Sequence, residues 1–284
     1  MPPTLPAELL RAVQQRKCIL FVGSGLSSAA GYPTWSELAD RLVKEARQIP
    51  YARVQGLDEI EDQKDYFTLA EFARATLGNG HFADVLKEML AAPVHAPHPH
   101  RVIAHTDYRG IITTNYDKLL ETVITQVRGW MPNVFTSRGL EQMGSALFDS
   151  NLFVYKMHGD VVEAGGIVIS ASDYDRMIIR SPHARSFLHA ALLNHTLLFV
   201  GYSLRDPDFQ LVLRELSPMY GDYLPRHYAL IPNAGDFTAE HLLRRLNVQA
   251  LSYDPAGGHA EAIEVLEALQ RLSPYEHPRL AVAS

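Results

Sequence analysis

Short apolar runs, each closed by turn residues, recur along the chain at 18–22, 110–113, 152–156, 166–170, 197–201, 228–231 and 248–252. Each has the length of a strand, and most are rich in Ile, Val, Phe or Leu. Between them lie stretches whose apolar residues recur at helical spacing, at 36–47, 67–77, 81–90, 117–127, 182–194, 207–216 and 259–272. Strands without polar alternation, separated by helices, predict a parallel sheet covered on both faces. The expected fold class is α/β, a doubly wound Rossmann-like sheet.

The alternation is uneven. Residues 36–106 carry helical patterns and no convincing strand, too much for one crossover. The chain 1–284 is therefore expected to form a single domain with an inserted helical module at about 36–106. The stretch 130–150 is also long for a connection, and reads as an addition to that module or as a lid.

The bulk numbers narrow the function. A net charge of -6 gives no global field to gather phosphate backbones, so direct nucleic-acid binding is not expected. The N-terminus lacks a basic segment followed by an apolar one, and no apolar run is long enough for a membrane span. A cytoplasmic protein is expected. The single cysteine, Cys18, lies inside the first apolar run and reads as a small buried hydrophobe. One cysteine cannot build a multi-cysteine zinc site, so no metal is implied. His95, His98 and His100 alternate with prolines and have no carboxylate or cysteine among them. They read as a solvated connector into a helix at 100–106.

The first run opens into Gly23-Ser24-Gly25-Leu26-Ser27-Ser28-Ala29-Ala30-Gly31. Glycines at a strand end permit a tight turn and close approach by a phosphate, and a following helix offers free amides. The loop is of dinucleotide type, but its spacing departs from G-x-G-x-x-G and it lacks the lysine of a triphosphate loop. A tight turn without a ligand is the alternative.

Further segments change that balance. Residues 23–35 read GSGLSSAAGYPTW, 113–117 read TTNYD, His158-Gly159 follows the third run, and 201–208 read GYSLRDPD. Each lies at the C-terminal end of an expected strand, where open α/β sheets bind ligands. In this order the set resembles the sirtuin family over most of the chain. Protein-deacylating sirtuins carry a four-cysteine zinc site between the last two motifs, and here residues 159–200 hold no cysteine. The variants are instead similar to the zinc-free, sirtuin-like NAD hydrolases of bacterial antiphage defence.

The resemblance implies NAD as substrate and cleavage of its nicotinamide–ribose bond. His158 would face the nicotinamide ribose as base, against a structural histidine as the alternative. Asn115 would hold a ribose hydroxyl and orient water, against an ordinary turn asparagine. Asp117 would stabilise the sugar cation or cap the helix that follows. Gly23, Ser24, Gly25, Ser27 and Pro33 would contact the dinucleotide; Ser27 and Ser28 could equally cap a helix. Trp35 would wall the nicotinamide pocket or pack on the helical module. Thr114 would shape its turn beside NAD, and Gly201, Ser203 and Asn233 would meet the adenosine ribose, with an ordinary turn asparagine as the equal alternative for Asn233. Asp206 and Asp208 read as helix caps, and Tyr174 as part of a segment over the site.

The resemblance further implies control of a costly NAD-depleting activity, through a homo-oligomer or through a separate ATPase or Argonaute-like partner, since no sensor domain is evident in the sequence. The competing functions are NAD-dependent protein deacylation or ADP-ribosyl transfer, and a non-catalytic NAD or ADP-ribose sensor.

Overall fold

A computed structural model of the chain describes residues 2–52, 54–91, 96–136, 140–148, 151–174, 182–204, 207–220 and 223–276. The strands are β1 (Cys18–Val22), β2 (Gly110–Thr113), β3 (Asn133–Phe135), β4 (Phe153–Lys156), β5 (Thr196–Val200), β6 (His227–Pro232) and β7 (Val248–Tyr253). They form one sheet of order β3-β4-β2-β1-β5-β6-β7, with parallel pairing throughout. The helices are α1 (Ala7–Gln14), α2 (Ser24–Ser27), α3 (Trp35–Arg47), α4 (Leu57–Asp62), α5 (Tyr66–Met89), α6 (His98–Ala104) and α7 (Leu119–Arg128). They continue with α8 (Pro182–Asn194), α9 (Pro207–Tyr220), α10 (Asp236–Leu246) and α11 (Ala256–Leu272).

Strand β1 explains the two-layered cover. Its five residues are fully buried, and both of its edges are paired, to β2 and to β5. Alternate side chains point to opposite faces. Cys18, Leu20 and Val22 join one core with residues of α1, α6, α7 and α11. Ile19 and Phe21 join a second core with residues of α8, α9 and α10. Burial pushes the Cys18 thiol well above its ordinary range, as expected for a packing residue. The doubly wound arrangement read from the apolar runs is present.

Between β1 and β2 the described residues contain helices and no strand of the sheet. Helix α3 starts at a capping box, in which the Glu37 amide donates to the Thr34 hydroxyl and the Thr34 amide to the Glu37 carboxylate. Its apolar face, Leu38, Leu42 and Ala46, packs on Ala70, Ala73, Phe82 and Leu86 of α5. Helix α5 breaks at Gly78, where φ is 73°, which accounts for the two separate helical patterns in the sequence.

Several expectations fail. The run 166–170 is not a strand: Ile167 and Ile169 are buried against α3 and α5, and the Val168 amide donates to the His158 carbonyl at 2.9 Å. Such a run satisfies its burial against helices as well as in a ladder. The stretch 130–150 contains the edge strand β3 and a 3-10 turn at Leu140–Leu147. Helix α1 was not expected. The histidine connector is only partly solvated: α6 starts at His98, which stays exposed with its Nε2 2.7 Å from the Glu267 carboxylate, whereas His100 is buried. His95 lies outside the described residues. Among the described residues, no helix is long and apolar enough to cross a membrane.

His227 opens β6, fully buried, and its Nδ1 accepts the Leu197 amide of β5 at 3.2 Å. Burial lowers its pKa from an ordinary 6.5 to about 3, so the folded chain holds it neutral. The unfolded chain binds the extra proton between those values. The stabilisation is complete above about pH 6.5 and is lost as pH falls toward 3. His100 and His195, each lowered to about 4 by burial, act in the same direction. Urea unfolding between pH 6.5 and 4.5 should show stability falling with pH. His227→Gln should flatten that slope by about 1.4 kcal/mol per pH unit; equal slopes would remove His227 as a source.

Candidate functional site

Strand order reverses beside β1, because the chain runs from β1 to β2 on one side and returns with β5 on the other. The crevice at such a switch lies beyond the C-terminal strand ends. Two glycine turns meet there. The amides of Gly23 and Gly25 donate to the carbonyls of Val200 and Gly201, both at 3.0 Å. A β-carbon on Gly23 would lie 2.4 Å from the Gly201 carbonyl oxygen, and one on Gly25 2.9 Å from the same atom. Gly201 has φ 62°, and its own β-carbon would meet the Leu26 nitrogen at 2.4 Å. These glycines are therefore required by backbone contact between the two turns. The amides of Gly23 and Gly25 are engaged within the protein, whereas Ser24 and Gly25 themselves stay exposed. Tyr202 anchors the second turn, with its ring 4.4 Å from that of Phe21.

The turn after β2 joins the first loop. The Thr113 hydroxyl donates to the Val22 carbonyl at 2.9 Å and accepts the Asn115 amide at 3.0 Å. The Thr114 amide reaches the Val22 carbonyl at 3.4 Å. The side-chain amide of Asn115 donates to the Gly23 carbonyl at 3.2 Å and to the Ser27 hydroxyl at 2.9 Å. Its Oδ1 is buried and has no hydrogen-bond partner among the described residues. An unsatisfied buried acceptor is costly, and its persistence marks a place where a donor belongs. Ser27 thus holds Asn115 rather than capping a helix. Ser28 bonds back to the Gly25 carbonyl, and Thr34 is the cap of α3.

Asp117 is buried, and its Oδ1 accepts the Leu119 amide at the start of α7, so capping is one of its roles. Tyr32 lies close enough to feel it: burial first, then Asp117 and Glu121, push the Tyr32 hydroxyl up to about 12.

His158 follows β4 and is buried. The Tyr174 hydroxyl lies 3.3 Å from its Nε2 and 3.4 Å from its Nδ1, long for hydrogen bonds, with the rings edge to face at 5.1 Å. The Tyr116 ring is also near, with a centroid distance of 6.4 Å. Tyr174 contacts Phe67 at 4.5 Å, and Phe67 contacts Trp35 at 5.7 Å. A line of aromatic rings thus leads from the helices after β1 to the imidazole, and Trp35 packs on those helices. Gly159 has φ 85°, and a β-carbon there would lie 2.6 Å from the Gly166 carbonyl oxygen. Only glycine lets the chain turn back under residues 166–169.

The structure brings together the loops of Gly23, Gly25, Ser27, Thr114, Asn115 and Gly201 by direct hydrogen bonds. His158 belongs to the neighbouring turn, tied to theirs because the Val161 amide donates to the Tyr116 carbonyl at 3.1 Å. Pro33 is half-buried next to Thr34, and Ser203 is exposed two residues beyond Gly201. Asn233 is exposed at the end of β6 with φ 47°, and its amide donates to the Tyr253 carbonyl. Among the described residues, no hydrogen bond joins it to the other site residues. Asp206 and the Asp208 side chain lie outside the described residues.

The sequence reading passed over three groups. Lys156, the last residue of β4, is fully buried and donates to Glu121, Asp160 and the carbonyls of Tyr116 and Asp117. Its only signal was a lysine closing an apolar strand with an aspartate four residues on. Burial pushes the Glu121 carboxyl up although the Lys156 ammonium opposes it, and Asp160 adds to the rise. Asp173 accepts from the amides of Ile169 and Ser170 and pairs with Arg74 at 2.6 Å. Glu71 accepts from the Ser172 amide and hydroxyl. Burial disfavours its ionisation, but the Ser172 and Ser170 hydrogen bonds and Arg74 outweigh it and hold the carboxyl below its usual range. These two clips fix Tyr174 over His158. Among the described residues, no group of three His, Cys, Asp or Glu residues is placed to hold a metal ion.

Comparison with known proteins gives the same motif order a family. The pattern of the family described as "SIR2-like domain" matches residues 109–251, half of the chain. Proteins named NAD(+) hydrolase ThsA are 27% identical over 87% of this chain in Cytobacillus dafuensis and over 79% in Bacillus cereus (strain MSX-D12). The matched regions are 47% and 45% of those proteins. A protein named Defense-associated sirtuin 2, from Bacillus subtilis, is 25% identical over 76% of this chain and 21% of its own length. The chain spans less than half the length of each of these relatives.

Gly201→Ala should destabilise the fold by about 1–3 kcal/mol, through the clash with Leu26 and the left-handed φ. Thermal unfolding of the purified variant measures it. An unchanged midpoint would mean that the two turns do not abut.

Proposed function

This chain belongs to the SIR2-like domain family, and on that premise we propose that it hydrolyses NAD to nicotinamide and ADP-ribose. The observation that carries the reading is the unpartnered, buried Oδ1 of Asn115, held at the crevice by Gly23 and Ser27 next to the His158 turn. A ribose hydroxyl or an attacking water is the kind of donor that completes such an acceptor. The names of the relatives, NAD(+) hydrolase among them, support the same reading.

In the reaction, the bond between the ribose C1′ and the nicotinamide nitrogen breaks. The bonding pair leaves with nicotinamide, which is already cationic and departs neutral. Positive charge builds on the sugar, and a water oxygen bonds to C1′. The water proton passes to the His158 imidazole, and then to solvent. Asn115 orients the ribose and water without neutralising the sugar cation. The Asp117 carboxylate, buried in the same turn, favours that cation. Gly23, Ser24, Gly25, Ser27 and Gly201 lie along the dinucleotide, with Pro33, Thr114, Ser203 and Asn233 at its margins. Trp35 walls the nicotinamide end through Phe67 and Tyr174.

We assign residues at about 36–106 to a helical module inserted in a single catalytic domain. Unchecked NAD hydrolysis would harm the cell that makes it, so its control lies in assembly with copies of itself or in a triggering partner such as an ATPase or Argonaute-like protein. The setting is cytoplasmic, and the role is antiphage NAD depletion.

Nicotinamide release from NAD by the purified protein tests the reading, with His158→Ala and Asn115→Ala alongside. Each variant should lose at least about 100-fold in rate, the usual worth of a positioned base or orienting group. Release equal to wild type by His158→Ala would remove that residue from the mechanism. Labelling of a protein by ADP-ribose, without free ADP-ribose, would convert the assignment to a transferase.

A further inference from the structure

We propose that Lys156 is a positioning residue for this reaction: one buried ammonium sets the Asn115 turn and the His158 turn in register. The inference rests on the NAD-hydrolase reading and goes beyond it. Lys156 has no exposed surface, so it does not touch the substrate. Its Nζ reaches the carbonyls of Tyr116 at 3.2 Å and Asp117 at 2.5 Å, the two residues that follow Asn115. It also reaches Asp160 at 2.8 Å, two residues beyond His158, and Glu121 of α7 at 2.9 Å. Its three protons are shared among four acceptors. Asp160 extends the clamp, because its other oxygen accepts the Val162 amide at 2.8 Å.

A core ion pair that only stabilises the fold is the competing account, and energetics separate the two. A buried pair is worth little against neutral or apolar replacements of the same shape, while loss of one partner strands the other charge. Lys156→Met alone therefore destabilises under either account. Lys156→Met combined with Glu121→Gln and Asp160→Asn leaves no stranded charge. It also removes every hydrogen bond from Nζ to the Tyr116 and Asp117 carbonyls. Asp160→Asn alone is nearly isosteric and removes one carboxylate from a cluster that holds two of them against one ammonium, so it folds.

If Lys156 positions the site, kcat for nicotinamide release should fall about 100-fold in the triple variant, the cost of a misplacement of about 1 Å. It should fall about tenfold in Asp160→Asn. KM for NAD should stay within about threefold, because the groups displaced, His158 and Asn115, act in the transition state. Wild-type kcat in Asp160→Asn, or in a triple variant of wild-type stability, overturns the proposal. A crystal structure of Asp160→Asn supplies a readout that does not need turnover. A shift of the His158 ring relative to the Asn115 amide supports the clamp, and superposable turns overturn it. If the wild-type protein releases no nicotinamide, the hydrolase reading fails, and this structural comparison still decides whether Lys156 sets the register of the two turns.

Discussion

Strand β1 is hydrogen-bonded along both edges and buried on both faces. That constraint leaves its side chains no freedom except to alternate between two helical layers, and it fixes where the strand must end. At that end the Val22 carbonyl takes the Thr113 hydroxyl from β2, while the Gly23 amide bonds to the Val200 carbonyl of β5. Neighbouring loops are thereby drawn to one point. The glycines of both turns follow from this geometry, since the two backbones approach too closely for any β-carbon.

Beyond that point the site is held by polar groups that the apolar core cannot supply. Lys156 is the central one: its charge is removed from water and offset by two carboxylates and two carbonyls. Such a cluster is a poor source of stability. It is a strong source of uniqueness, because each acceptor must be in place for the ammonium to be satisfied. The same logic applies to the Arg74–Asp173 pair and the Glu71–Ser172 contacts, which hold Tyr174 at the imidazole. The aromatic rings from Trp35 to His158 fill the space between these polar ties.

Much of this was legible along the chain. Helix α8 spans 182–194, as its apolar spacing indicates, and β1 spans 18–22. The glycine loop, TTNYD, His158-Gly159 and Gly201 lie at strand ends because turn chemistry is local. What failed shares a cause. Ile167 and Ile169 have the composition of a strand, yet their partners are helices far away in sequence. Strand β3 is only three residues long and pairs at the sheet edge with β4, too little for a periodic signal. His100, read as solvated, is buried by the packing of α6.

The sequence by itself determined the strand–helix alternation, the parallel class, the absence of a four-cysteine site and the order of the turns at the strand ends, because each is written in neighbouring residues. Tertiary structure alone decided which strands pair, that Asn115 spends its amide on Gly23 and Ser27, and that Lys156 finds Glu121 thirty-five residues away. The physical reason is that a buried charge or amide acquires its meaning from partners distant in the chain. Only folding, with the loss of water around those groups, selects them.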